Sequence, residues 1–343
     1  MIRTRPGHRN VAAITNIDDL RGALQNAIRL EHSTIPPYLC ALYSIRDGRN
    51  TEAAALIESV VMEEMLHMVL AANVLNAIGG SPNIDRPDFV PNYPAPLPHS
   101  DNRLVVGLRR LSPEALKTFR RIERPEPPGT PPGVEGYHTI GQFYAGIELG
   151  LQQLAAEQDI FTGAASKQID GGEHVYGMAH APCAVHDLDS AMDALTIIVD
   201  EGEGIDHTIH DGDSALGEGE LLAHFYRFDE ITKGRRYRPS DTPRTGPTGR
   251  PLPVDFDAVW PMRTNPRVED LPPGSDVRAL TDEANRVYTD LLRCLHRGLN
   301  GEPGELTGAV GLMWELRWKA ETLMRIPVGS NGETAGPTFQ WCA

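Results

Sequence analysis

The apolar residues of this chain recur at helical spacing, with no sustained strand alternation and no internal repeat. A first helix is predicted to begin near 16–18, where Asn16 and Asp18 offer capping oxygens. Its Leu20, Leu24, Ala27, Ile28, Ile35, Tyr38 and Leu42 form one stripe at about 100° per residue. Glu31 falls near the middle of that stripe, and Pro36 and Pro37 predict a kink about one turn beyond it. A second helix is expected over 51–78, stopped by Gly79 and Gly80, with Leu56, Val60, Ala71, Val74 and Ile78 inward. Glu64 and His67 sit beside this stripe and face the same way, as i and i+3 residues do.

A third helix is predicted over 137–161, with Ile140, Tyr144, Ile147, Leu151 and Ala155 inward and Glu148 on the edge. A fourth is predicted over 187–203, where Leu188, Met192, Leu195 and Val199 share a face with Glu203. The same phase turns Glu201 to another side, so Glu203 is selected as the inward carboxylate. Between the second and third helices, residues 81–136 are rich in proline and hold one short helical pattern over 112–123. This stretch is read as a long crossover between helix pairs. An acidic loop, "GIDHTIHDGDSALGEGE", leads to a short helix in "LLAHFYRFDEITKG". An Arg- and Pro-rich stretch over 234–275 then wraps the surface, and helices over 276–299 and 303–326 close the chain. The expectation is an all-α, four-helix bundle forming a single domain over 1–343. Its core would be 17–203, with further helices and wrapping segments over 204–343.

Composition narrows the function. The formal net charge of −15 and the lack of a basic stripe argue against a nucleic-acid partner. The four cysteines, Cys40, Cys183, Cys294 and Cys342, are far apart and show no CxxC spacing, so they read as ordinary thiols. The N-terminus has no apolar signal core, and no apolar run reaches the roughly 18 residues that a membrane span needs. A cytoplasmic chain without a membrane partner is expected.

The chemistry lies in the inward carboxylates. Four helices each bring one, Glu31, Glu64, Glu148 and Glu203, and the second adds His67. Burying ionised carboxylates together is very costly unless a cation neutralises them. Individual pairing with arginines is the plainer alternative. The order Glu, Glu-x-x-His, Glu, Glu is the skeleton of a ferritin-like dimetal site, and its oxygen and nitrogen donors suit iron or manganese. Glu63 is read as a supporting or rim residue. The "DGD" run at Asp211–Asp213 lacks the loop glycine and terminal glutamate of an EF-hand.

The stretches "LEHSTIPPYLCALYSI", "EEMLHMVLAANVLNAIGGSP", "FYAGIELGL", "IVDEGEG", "HFYRFDEI", "VWPM" and "TAGPTFQW" carry a resemblance over almost the whole chain. It resembles the ferritin-like domain of the iminophenyl-pyruvate dimer synthase family, which also includes stand-alone proteins. The resemblance implies Glu31, Glu64, His67, Glu148 and Glu203 as metal ligands. It also calls for a second histidine, but Asp206 stands at i+3 from Glu203. His224, in "HFYRFDEI", is favoured for that place over His207, because Gly204 interrupts the helix before His207. If neither binds, a single metal remains an option. His32 is expected to be a supporting or helix-edge group, and His138, His174, His180, His186 and His210 to be solvated at helix starts or in loops. The function implied is a non-haem enzyme with two iron ions, or else manganese or one metal. It would use dioxygen as an oxidase or oxygenase on a small amino-acid-derived or imine-type substrate in secondary metabolism. A metal-binding or storage protein without turnover is the alternative. A homo-oligomer or a biosynthetic partner enzyme is compatible with either.

Overall fold

The computed structural model describes residues 14–171, 181–214 and 220–342. Its long helices are α1 (Ile17–Tyr43), α2 (Thr51–Ala77), α4 (Ile140–Glu157) and α5 (Leu188–Glu203). Two shorter helices, α3 (Pro113–Ile122) and α6 (His224–Lys233), and a hairpin of α7 (Asp276–Leu299) and α8 (Glu305–Leu323) complete the helical part. Helix α1 packs on α2, α2 on α5, α5 on α4, and α4 returns to α1. This closed ring of contacts surrounds one hydrophobic core that includes Leu24, Ile28, Val60, Val74, Ile147 and Leu195.

Local chemistry explains the helix ends. Asn16 accepts from the backbone N–H groups of Asp18 and Asp19 and so starts α1. Asp187 and Ser190 form a reciprocal capping box at the start of α5. Gly204, at φ 99°, ends α5, and His207 lies beyond it in a short 3-10 turn, exposed. Helix α1 continues through Pro36 and Pro37 to Tyr43. Pro37 has no N–H for the Ser33 carbonyl, but the Tyr93 hydroxyl donates to that oxygen at 2.9 Å. A side chain from the crossover thus satisfies the acceptor that proline leaves open.

The crossover between α2 and α4 contains α3 and a small antiparallel ladder of β1 (Ala95–Pro96) with β2 (Val105–Val106). A second ladder joins β3 (His210–Ser214) to β4 (Glu220–Leu222). Both are too short to show alternation in the sequence. Helices α3 and α6 pack against each other, and α6 also meets α2 and α5. The α7–α8 hairpin lies against α1 and α2 from outside the ring.

Two of the phase expectations need correction. Helix α2 has no solvated face from Leu66 to Ile78, because several helices pack around it. Helix α5 is likewise flanked by α2, α4, α6 and β3, so Glu201 is as well buried as Glu203. A single stripe describes a helix buried on one side only, and α5 is not such a helix. The four cysteines are free thiols. No helix of the described residues is long and apolar enough to cross a membrane.

Candidate metal centre

Six acidic and imidazole side chains from five parts of the fold line a small cavity of about 10 Å³. They are Glu31 from α1, Glu64 and His67 from α2, Glu123 at the end of α3, Glu203 from α5 and His224 from the first turn of α6. All six are buried. Tyr144, on the stripe of α4, contributes a hydroxyl that donates to Glu31.

The two imidazoles are oriented alike, each held from outside by a carboxylate. His67 Nε2 pairs with Glu201 Oε2 at 2.7 Å, and His224 Nε2 pairs with Glu63 Oε2 at 2.9 Å. The rings are near-parallel, with centroids 5.3 Å apart. Their other nitrogens face the inner carboxylates. His67 Nδ1 is 3.8 Å from Glu31 Oε2, and His224 Nδ1 is 3.0 Å from Glu64 Oε1 and 3.6 Å from Glu123 Oε2. His224 is fully buried, so its Nδ1 meets these carboxylates away from solvent. Ligand atoms of Glu64, His67 and His224 lie within 4.8 Å of one another, a triad able to hold a metal ion.

Hydroxyl groups and an arginine fix the carboxylates. Thr34 donates to Glu64 Oε2 at 2.8 Å, and Tyr38 donates to Glu123. The Arg227 guanidinium donates to Glu63 Oε1 at 2.8 Å and to Asp211 Oδ2 at 2.6 Å. Burial alone would raise Glu63, but Arg227 and His224 hold its carboxyl well below the usual carboxylate range. Glu64 moves the other way: burial raises it, and the Glu123 charge adds to that. For His67 burial favours the neutral ring, yet contacts with Glu201 and Glu31 outweigh it and carry the pKa up to about 10. His224 is opposed by burial too and is raised by Glu123, Glu63 and Glu64.

These features fit a metal. Three inner carboxylates and two inward imidazole nitrogens, all buried, form a nitrogen–oxygen donor set. The outer carboxylates have the place and geometry of groups that orient ligating histidines.

The residues expected from the sequence are not all brought together. Glu31, Glu64, His67 and His224 meet in the cavity. Glu203 lines it too, but Gly141 N–H donates to its Oε1 at 2.8 Å and Glu126 N–H to its Oε2 at 2.6 Å. Glu203 therefore serves the first turn of α4 as a capping anion. Its carboxyl rises to about 7 because burial outweighs the two backbone donors. Glu148 stands outside the cluster, half-buried, its carboxyl raised by burial and by the nearby Asp200 charge. The inward place on α4 belongs to Tyr144, one turn earlier on the same helix.

Glu201 corrects the sequence reading most directly, since it was expected to turn away and instead holds His67. Glu123 was not singled out at all, because it follows an isolated short helix with no ligand motif around it. The adjacency of Glu63 to Glu64 was a usable signal for its supporting place. His138, His186 and His207 are exposed, whereas His32 is buried and bonded to Tyr288. His174 and His180 lie outside the described residues.

The chain belongs to the ferritin-like family, whose model matches residues 24–233, and its all-α fold is that of the family. The crystal structure of a ferritin-like protein from Caulobacter vibrioides superposes with a TM-score of 0.63 at 24% identity, covering 95% of this chain and 100% of that one. Two curated relatives extend the likeness. Dichlorochromopyrrolate synthase from Lentzea aerocolonigenes is 25% identical over an alignment of 400 positions, covering 98% of this chain and 37% of that protein. The 2-imino-3-(indol-3-yl)propanoate dimerase from Chromobacterium violaceum is 27% identical over 379 positions, covering 95% of this chain and 34% of that protein. The chain thus spans about a third of the length of the curated relatives it matches.

Proposed function

We propose that the chain is a non-haem dimetal oxidoreductase that uses dioxygen to oxidise a small amino-acid-derived or imine-type substrate in secondary metabolism. The observation that carries this reading is the paired histidine arrangement. His67 and His224 are each anchored through Nε2 by an outer carboxylate, Glu201 or Glu63, and turn Nδ1 toward Glu31, Glu64 and Glu123. The name of one curated relative, a 2-imino-3-(indol-3-yl)propanoate dimerase, supports the substrate class.

Glu31, Glu64, Glu123, His67 and His224 are the proposed ligands of two iron ions, with manganese or a single ion as the alternatives. Bound there, the metal supplies redox capacity and dioxygen activation that the side chains lack. Around it, Tyr144 and Tyr38 each direct one oxygen of a ligating carboxylate by hydrogen bonding, and Thr34 does the same for Glu64. Arg227 pairs with both Glu63 and Asp211 and so offsets one of their two negative charges. The cavity of about 10 Å³ excludes bulk water.

That small volume also favours a second reading, metal binding without organic turnover, because no organic molecule fits the space as it stands. Anaerobic loading with ferrous iron followed by exposure to dioxygen separates the two. The proposal expects about two iron ions per chain and dioxygen uptake that rises when an aromatic imino acid is added. Uptake that is indifferent to every such substrate would leave the storage reading standing.

A further inference from the structure

A second cavity, much larger than the metal site, lies between α1, α2 and the α7–α8 hairpin. Its volume is about 160 Å³ and its wall is almost wholly apolar. On α1 and α2 it occupies a neighbouring face, roughly 100° round from the metal ligands: His32 follows Glu31, and Met65 follows Glu64. Four methionines, Met62, Met65, Met68 and Met313, contribute to the lining, and thioethers adapt their shape to a guest and make favourable contacts with aromatic rings.

Three residues with polar side-chain atoms, His32, Tyr43 and Tyr288, interrupt the wall, and two of them are paired. Tyr288 OH and His32 Nε2 are hydrogen-bonded at 2.7 Å, and both residues line the cavity. His32 is 4% exposed, and its Nδ1 has no partner. Leaving such an atom unpaired forfeits the hydration it had in the unfolded chain. Tyr288 is itself held in place, with Phe339 packed edge-on at 5.2 Å. Phe339 has φ 45°, a left-handed conformation that a bulky residue adopts only when its surroundings enforce it. Asn285 Oδ1 provides that enforcement, accepting from Thr338 Oγ1 at 3.0 Å and from the Gln340 N–H at 3.1 Å, one on each side of Phe339. The strained residue, the tyrosine and the histidine therefore form one braced wall.

We propose that this chamber is a binding site for one small neutral molecule, a single aromatic ring carrying one hydroxyl or comparable polar group. The ring fills the apolar volume, and the polar group pairs with His32. A dry cavity of about 150 Å³ lined by aliphatic side chains takes up benzene, so the space is of the right order for a single ring. The hydroxyl can both donate and accept, so it suits the hydrogen-bonded Tyr288–His32 pair whichever of the two donates. The site stands apart from the metal reading, and binding to it requires no metal.

The test uses the full chain without metal, so its outcome does not depend on the ligand set of the metal centre. Phenol and toluene are titrated by calorimetry against the wild type, Leu295→Trp and His32→Phe, with the melting curve of each variant recorded to show that it folds. Leu295 lies on α7 and lines the chamber, so the tryptophan fills it from the hairpin side. Expected are one competitive site for both probes and loss of both in the filled variant. His32→Phe should weaken phenol at least about five-fold, the worth of one net hydrogen bond, and toluene less than about two-fold. Absence of saturable binding to the wild type would overturn the proposal. So would wild-type affinity in folded Leu295→Trp, or an equal loss of both probes in His32→Phe.

Discussion

His67 and Glu201 are joined by a 2.7 Å hydrogen bond sealed from solvent, and this bond ties α2 to α5 beside the inner carboxylates. It fixes which nitrogen of His67 is turned inward. Glu201→Gln should keep the fold and weaken metal binding by about 10–100-fold, as removal of a carboxylate that orients a ligating histidine does. Competition with a chelator of known affinity measures this. Wild-type affinity in the variant would mean that His67 needs no such anchor.

Glu123 and Glu148 provide the sharpest contrast between structure and sequence pattern. Glu123→Gln should lower the number of iron ions bound per chain, because it takes one charge from the inner donor set. Glu148→Gln should leave the number unchanged, since its carboxyl sits near Asp200 and outside the cluster. Elemental analysis after anaerobic loading reads both, and the opposite pattern would reinstate Glu148 as a ligand.

Metal affinity should rise with pH. In the metal-free protein both imidazoles are held protonated at neutral pH, His67 with a pKa of about 10 and His224 raised as well, despite burial acting against the charge. A metal must displace those protons, so lowering the pH strengthens the competitor. Loading should release at least two protons per fully occupied site at pH 7, one from each imidazole, seen with an indicator dye in weak buffer. Glu64, raised to about 8 by burial and the Glu123 charge, adds to the release. No release on loading would show that the two rings are not displaced from their protonated state.

Two glycine substitutions should move stability in opposite directions. A Cβ on Gly141 would lie 2.5 Å and 2.7 Å from the two Glu203 oxygens, both of them bonded to backbone N–H groups. Gly141→Ala should destabilise by about 1–3 kcal/mol, the usual cost of forcing atoms into a filled site. On Gly22, exposed within α1, a Cβ meets nothing within 4 Å. Gly22→Ala should stabilise by about 0.4–1 kcal/mol through the entropy of the unfolded chain. Urea unfolding of both variants decides the signs.

The helices were legible in the sequence because their determinants are local. Apolar spacing, the Asn16 and Asp187 caps, and the glycines after α2 and α5 act within a turn or two, so α1, α2, α5 and α7 fall where the pattern puts them. Glu31, Glu64 and His67 were legible for the same reason: a charged group in an apolar stripe is visible without knowing its neighbours. Tertiary structure alone decided the rest of the site. Glu201 was hidden because α5 is buried on more than one side, where one stripe no longer marks the interior. Glu123 was hidden because its place depends on how α3 packs on α6, a contact between segments about a hundred residues apart. Tyr144 rather than Glu148 reaches Glu31 because the axial level at which α4 crosses α1 picks one turn over the next. Phase along a helix is written in its own residues, whereas depth and level are set only when the helices pack together.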